Sequence, residues 1–562
     1  METPFCFRGV IHQIWSPALS KGGVFLKLPC HDVTRRAVRL VFYPKRLYRL
    51  VVYSLLPLII SCLAMGSTTL AGRDPGVLEV ICHIAMPWVV GNQVVEPLLY
   101  VDNENRFIPC LAESYQDYGT YMDLQLRRGV RFQDGTELSA ASVVMNWEAY
   151  KKTANPYFTI DLRLGVERIE ALSAHQIRIW FKKDGLTALI PVYLRSFYIY
   201  SPFYFLQHGG VYPPGNQANI SEAGPWGTGP YEVTDVQHSG EVVRLEGNQT
   251  YWRKGRPRVQ TILLHGPKQY SSLEAHRMTK VGEADLFDAV SPSMIPAMAQ
   301  SKVTNLIVKH PLSFLTTLFN MRKPGTPLRD VRIRQALNLL IDRKTLFKYV
   351  GHGRALMTAF IFPLAAVDEE LQPYPYQPVK AKRLLQAAGY SVNNPLSLTI
   401  GYFTCEKKLA LAIASMLEAG GIAVQFQEYQ TRYEWYRHVM TYGHGPENPM
   451  ENEKWDLNIV NTGLYTNSVA THFGECFVSR GGYRWIPPDP QVDRMFMSAM
   501  KQKNLRTAEH TLLQLERYLY SQYYMMPIYI NPSILAVHKR IAGSTFSASG
   551  YLLNLKEIEI EK

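Results

Sequence analysis

At 562 residues the chain is too long for one hydrophobic core and requires two or three domains. Its 47% hydrophobic and 19% charged residues are those of an ordinary globular protein, and nothing reads as low complexity or as a repeat. The net charge of +13 is uneven: residues 1–71 hold nine Lys or Arg against Glu2 and Asp32, which is +7, and the remaining +6 forms no long basic run of the kind that binds nucleic acid.

Residues 1–40 are weakly patterned. Residues 35–49 are basic (Arg35, Arg36, Arg39, Lys45, Arg46, Arg49) and lead into an apolar run from Leu50 to Ala64. A basic segment, a short apolar stretch and small residues together make an export signal, because the stretch is too short to span a bilayer comfortably. Ile59-Ile60-Ser61-Cys62 resembles a lipobox in which Cys62 is lipidated, with Ile where Leu is usual. Cleavage after Gly66 or Ala71, or an uncleaved anchor, are the rival readings. The length before the apolar run places the true start between residues 30 and 45, or makes residues 1–34 a cytoplasmic leader. Of the seven cysteines, Cys82, Cys110, Cys405 and Cys476 lie far apart in the body; they read as free or buried thiols, or as one disulfide formed after export whose pair the spacing does not choose.

Val77–Ile84 is a short apolar strand, and Met86-Pro87-Trp88-Val89-Val90-Gly91 reads as the loop that follows it. Met122, Leu124 and Leu126 alternate with Tyr121, Asp123 and Gln125, the pattern of a half-buried strand. Arg127-Arg128-Gly129 turns the chain, Val130 and Phe132 continue on a second strand, and Asp134-Gly135 turns it again. Ser139 caps a helix whose apolar side carries Val143, Met145, Trp147 and Tyr150. Two strands follow at 166–172 and 175–180, then a Tyr- and Phe-rich stretch (Phe197 to Phe205) that reads as core. Gly227-Thr228-Gly229-Pro230-Tyr231 is a rigid turn into a strand. Strands are expected at 259–264, 315–319, 396–402, 422–425, 455–460 and 526–530, and helices after Asp330, at 379–388, 409–419 and 505–520. The strand–helix–strand succession from 396 to 425 argues for a second α/β lobe.

As a string, Pro97-Leu98-Leu99, Leu111-Ala112-Glu113-Ser114-Tyr115 and Leu126-Arg127-Arg128-Gly129-Val130-Arg131-Phe132-Gln133-Asp134-Gly135-Thr136 resemble the signature block of the peptide/nickel family of solute-binding proteins, the extracytoplasmic receptors of ABC importers. Gly227-Thr228-Gly229-Pro230-Tyr231, then Asn248-x-x-Tyr251-Trp252, then Gly282-x-x-Asp285, and later Asp330-Val-Arg-x-Arg334-x-Ala-Leu-Asn338, resemble further landmarks of that family in its order. The resemblance runs from about residue 77 to residue 540. It implies an α/β fold of the periplasmic-binding-protein type II kind, two lobes with a hinge plus an extra domain, and a ligand cleft between the lobes. It divides the chain into the leader and export signal at 1–71, domain I from 77–102, 220–312 and 521–562, domain II at 103–219, and domain III at 313–520. It further implies a location in the periplasm or on the outer face of the cytoplasmic membrane, a permease and ATPase as partners, and a monomer without cofactor.

Dipeptide binders of this family clamp both peptide ends, with an Asp in the loop after the Trp-type strand and an Arg after the earlier domain III strand. Here the loop 461–468 has no acid and the strand end 400–404 has no Arg. A buried free amine or carboxylate needs a counter-charge, so the neutral set Tyr402, Asn461, Thr462, Tyr465 and Asn467 suits backbone amides, sugars or a capped peptide, and Trp88, in the loop after the first strand, is a further lining candidate. A metal chelate is the alternative solute. The sequence has no Gly-Lys dipeptide, no His-Glu-x-x-His and no Gly-x-Ser-x-Gly, so the resemblance to a binding protein rather than an enzyme stands without rival motifs. His438 and His444 are six residues apart, too weak a pattern for a metal site.

Overall fold

The computed structural model describes residues 74–83, 86–101, 106–153, 161–213, 222–291, 294–350, 371–430, 435, 438–439, 450–463, 469–543 and 553–561; at a few of these, among them Trp88, Cys405, Asn461 and Thr462, only the backbone is described. All belong to one compact unit, Asp74–Lys562; the other unit, Met1–Arg73, with its apolar run and Cys62, lies outside the described residues. Among the described residues no helix is long and apolar enough to cross a membrane.

The backbone of the fold is a ten-stranded mixed sheet. Its strands run in the order Tyr231–Gln237, Val242–Gly247, Thr261–His265, Val77–Ile81, Leu286–Phe287, Met525–His538, Thr304–Phe319, Leu457–Gly463, Ser397–Phe403, Ala423–Tyr429. The two strands in the middle, Thr304–Phe319 and Met525–His538, are antiparallel, and they are the longest. Sequence patterning yields only their ends, 315–319 and 526–530, because Pro311, Pro527 and Pro532 interrupt the runs. The structure continues the strands past these prolines by shifting register: Lys309 pairs with Ser533 but Ser313 with Asn531, and Leu315 pairs with Tyr529 but Thr316 with Pro527. A proline brings no N–H to a ladder, and a bulge is where a sheet tolerates one.

Residues 112–181 form a second, four-stranded antiparallel sheet in the order Ala112–Asp117, Tyr121–Leu126, Gln176–Phe181, Val166–Ser173. The expected alternation holds: Met122, Leu124 and Leu126 are buried and their neighbours part-exposed. Gly129 and Gly135 turn at φ +72° and +86°. Three local expectations are corrected. Val130 and Phe132 are buried, but the segment makes only a single bridge, Arg131 to Glu137, not a strand. Ser139 does cap the helix Ala140–Lys152, but Asn146 replaces Met145 on the buried side; its amide bonds the backbone of Tyr200 while Met145 faces solvent. Met86–Val94 is a helix rather than a loop, with Pro87 in its first turn where the missing N–H costs nothing.

The second α/β succession is as expected: Ser397–Phe403, the helix Lys407–Ala419 and the parallel strand Ala423–Tyr429. Of the two arginines that follow Asp330, Arg332 pairs with Asp330 at 2.6 Å, whereas Arg334 is buried and donates to the carbonyls of Leu328, Arg329 and Gln522. Cys82, Cys110 and Cys476 are buried and in no disulfide, and the Cys82 thiol donates to Asp288.

Candidate functional site

The register of the long strands defines where a ligand could sit. Val77–Ile81 is parallel to Leu286–Phe287, and Phe287 and Leu306 both stand opposite Ala536, so Ile81 is level with Leu306. Leu286 and Phe287 oppose Val537 and Ala536, so this group of strands runs towards the register break at Lys309–Ser313. From the other side, Leu457–Gly463 descends from Phe319 to Ser313 and runs towards the same break, with Ser397–Phe403 and Ala423–Tyr429 parallel to it. Strand C-terminal ends from the two parts of one sheet therefore face each other across about 30 Å of strand at most. Strand C-terminal ends are where open α/β sheets hold ligands.

Trp88 is in the first turn of the helix that follows one of these ends. Asn461 and Thr462 lie in the last turn of strand on the other side, opposite Leu315 and Phe314. Tyr402 closes the parallel neighbour; Gly401 pairs with Asn458, so Tyr402 is level with Ile459. Backbone placement thus brings Tyr402, Asn461 and Thr462 to one edge and sets Trp88 on the facing one; Tyr465 and Asn467 lie outside the described residues. The Tyr402 side chain is buried, 4% exposed, with its hydroxyl 3.2 Å from Glu428 Oε2, and burial and then that carboxylate push its pKa up. Lys407 reaches the same carboxylate at 3.3 Å. The sequence did not mark Glu428 and Lys407, because only the parallel pairing of two distant strands brings them beside Tyr402. Beneath the Asn461–Thr462 edge, Phe314 packs its ring 5.6 Å from His472, which also meets Trp485 at 5.3 Å. Burial there pushes the His472 pKa down to about 3, so the imidazole is neutral. His438 is held by Glu453 at 2.9 Å; His444 lies outside the described residues. Among the described residues no group of three or more His, Cys, Asp or Glu is placed to hold a metal ion.

The motifs read from the sequence prove to be a joint beside this region. Glu96 is buried and accepts from Tyr251 OH at 2.8 Å, Trp252 Nε1 at 2.8 Å and Thr228 Oγ1 at 3.0 Å. The Arg127 guanidinium lies 4.8 Å over the Trp252 ring. Gln133 satisfies its whole amide on the glycine turn: it donates to the carbonyls of Tyr231 and Gly229 at 2.6 and 3.3 Å and accepts from the N–H groups of Trp226 and Gly227. A Cβ on Gly229 would lie 2.5 Å from the Gln93 carbonyl, so the turn is pressed on the end of the helix that carries Trp88. Asp285 pairs bidentately with Arg540 at 2.7 and 2.8 Å and accepts from the Glu79 N–H, tying the first strand to the segment that follows Met525–His538. The motifs thus fix architecture, and none of these side chains is at the strand ends that face the break.

Comparisons with known proteins agree with this geometry. The glutathione-binding protein GsiB of Escherichia coli K12 is 27% identical over 342 residues, 59% of this chain and 63% of that protein, so the match spans less than two thirds of the relative. The oligopeptide-binding protein AppA of Bacillus subtilis, solved with a nonapeptide, superposes with a TM-score of 0.72 at 18% identity over 86% of this chain and 99% of AppA. NikA of Staphylococcus aureus, solved with Ni(L-His)2, gives 0.70 at 17% identity over 86% of this chain and 100% of NikA. These likenesses show that the α/β fold is that of the periplasmic binding proteins. Residues 106–481 match the family described as bacterial extracellular solute-binding proteins, family 5 (Middle), a family of binding proteins rather than enzymes. Since that match takes in more than half of its length, the chain belongs to family 5 of the bacterial extracellular solute-binding proteins.

Proposed function

We propose that the protein is the substrate-binding receptor of an ABC importer, and that it captures a peptide-like solute outside the cytoplasmic membrane and delivers it to a permease. The observation that carries this reading is the convergence of strand C-terminal ends on the break in the two long strands. Residues 77–102, 220–312 and 521–562 serve as domain I, 103–219 as domain II and 313–520 as domain III, and the shifted register at Lys309–Ser313 is the hinge. Closure over a solute excludes water and strengthens the polar contacts it makes. The solute favours the closed state only by the contacts it gains there.

The lining is Trp88 on one side and Tyr402, Asn461, Thr462, Tyr465 and Asn467 on the other. Glu428, the carboxylate that Tyr402 meets, is paired with Lys407, which leaves neutral groups to meet peptide amides. The names of GsiB and AppA support a peptide class that includes glutathione-like tripeptides. The apolar run at 50–64 provides export, and Cys62 a lipid anchor. Thermal shift of the full chain with glutathione, tri- to nonapeptides and nickel–histidine chelate tests the reading. A peptide at a hundred times its Kd should add about 2.7 kcal/mol. Stabilisation by the chelate alone would overturn the peptide class, and chemical turnover of a stabilising compound would overturn the receptor.

A further inference from the structure

The helix Pro378–Ala387 turns Ala381 and Leu385 inward, against the helix Val331–Leu340, and leaves Val379, Lys380, Lys382 and Arg383 exposed. The spacing puts Val379, Lys380, Lys382 and Arg383 on the outward side of the helix. Among the described residues no carboxylate pairs with Lys380, Lys382 or Arg383, and no interaction of theirs is left unaccounted for. The neighbouring helix differs: its Arg332 is held by Asp330 and by the carbonyl of Ala387. Two apolar side chains are exposed on and just before this helix, Val379 at 66% and Tyr376 at 53%. Lys344, also exposed, follows Arg343, whose guanidinium holds the carbonyl of Tyr374 on the approach to this helix.

Cations that pair with no carboxylate among the described residues, next to exposed apolar side chains, are complementary to an anionic surface that also admits apolar groups. We propose that this face docks on an anionic phospholipid bilayer, with Lys380, Lys382 and Arg383 against lipid phosphates and Val379 and Tyr376 at the headgroup level. Basic side chains near an anionic membrane each contribute about fivefold to partition, and long basic side chains can lay their stems along the apolar part while their charge meets the headgroups.

The test is amine labelling of the full chain by an acetylating ester, read by mass spectrometry. It is run with phosphatidylglycerol/phosphatidylcholine vesicles and with phosphatidylcholine vesicles. Lys152, exposed on a helix of the other sheet, is the internal control. Labelling of Lys380 and Lys382 should fall at least about fivefold with the anionic vesicles only, with Lys152 unchanged. The double variant Val379→Asp/Arg383→Glu keeps both reporter lysines and should lose the protection at an unaltered melting temperature. Vesicle association without protection of Lys380 and Lys382 would assign the contact to the N-terminal segment and overturn the proposal. So would equal protection by neutral vesicles, or protection that appears only with protein-containing native membranes, which would make the partner a protein. The vesicle comparison decides the matter by itself if the variant does not fold.

Discussion

Replacing Glu96 by alanine removes the acceptor shared by Thr228, Tyr251 and Trp252, all of which meet it inside the protein. A buried donor left without a partner costs about 1–3 kcal/mol, so three of them cost roughly 3–6 kcal/mol once some are rehydrated. That is a large part of a typical stability of about 5–15 kcal/mol. Glu96→Gln keeps the shape and one carbonyl oxygen. The oxygen can stay on Thr228 and Trp252 while Tyr251 reverses its hydroxyl to accept from the new amide, for a cost of about 1–2 kcal/mol. The sharper test is a cycle with Tyr251→Phe. In the parent it removes a bond to a carboxylate and should cost about 1.5 kcal/mol or more. In the Glu96→Ala background the hydroxyl has lost its carboxylate acceptor and keeps only Arg253 beside it, so its removal should cost clearly less than in the parent. Urea unfolding followed by tryptophan fluorescence measures all four proteins. Equal costs of Tyr251→Phe in the two backgrounds, or Glu96→Ala within about 0.5 kcal/mol of Glu96→Gln, would refute the joint.

His472 is neutral in the folded protein, with its pKa down to about 3, while the unfolded chain takes up a proton near pH 6.5. Its contribution is therefore complete above pH 6.5 and is lost as pH falls towards 3, by about 1.4 kcal/mol per unit; His472→Phe should flatten the fall of the unfolding free energy, obtained from urea titrations between pH 6 and 4.5, by that amount, and parallel slopes would count against it. Gly229→Ala drives a Cβ against the backbone at Gln93 and Val94, which is not free to move, and should cost about 1–3 kcal/mol in the same unfolding assay. Tyr402→Phe should weaken the best peptide ligand about five- to tenfold by calorimetry, through the lost hydroxyl, with the melting temperature held within about 2 °C.

The elements that were legible in the sequence are those whose periodicity agrees with their burial. Met122, Leu124 and Leu126 announce a strand, and Ser139 announces a helix start, because local chemistry decides both. The two central strands were half legible: Pro311 and Pro532 argue for a break, and only the tertiary pairing shows that the break is a change of register within a continuous ladder. Met145 was misplaced because apolarity was read where shape decided; the buried position went to Asn146, which has a backbone partner at Tyr200. Of the candidate site, the strand bearing Tyr402 was legible, whereas Asn461 and Thr462, expected in a loop, extend the strand Leu457–Gly463 because they pair with Leu315 and Phe314. The pairing that sets Glu428 beside Tyr402 was not legible, since it joins strands separated by a whole helix. The family landmarks were visible as strings, but their convergence on Glu96 and on the Gly229 turn could be seen only in three dimensions.

Small-angle X-ray scattering of the full chain, alone and with a saturating peptide chosen from the thermal-shift set, tests the central claim most directly. Closure about the Lys309–Ser313 break predicts a smaller radius of gyration and a shorter maximum dimension in the peptide-bound protein. Superimposable curves at proven saturation would contradict capture by movement of two parts around that break.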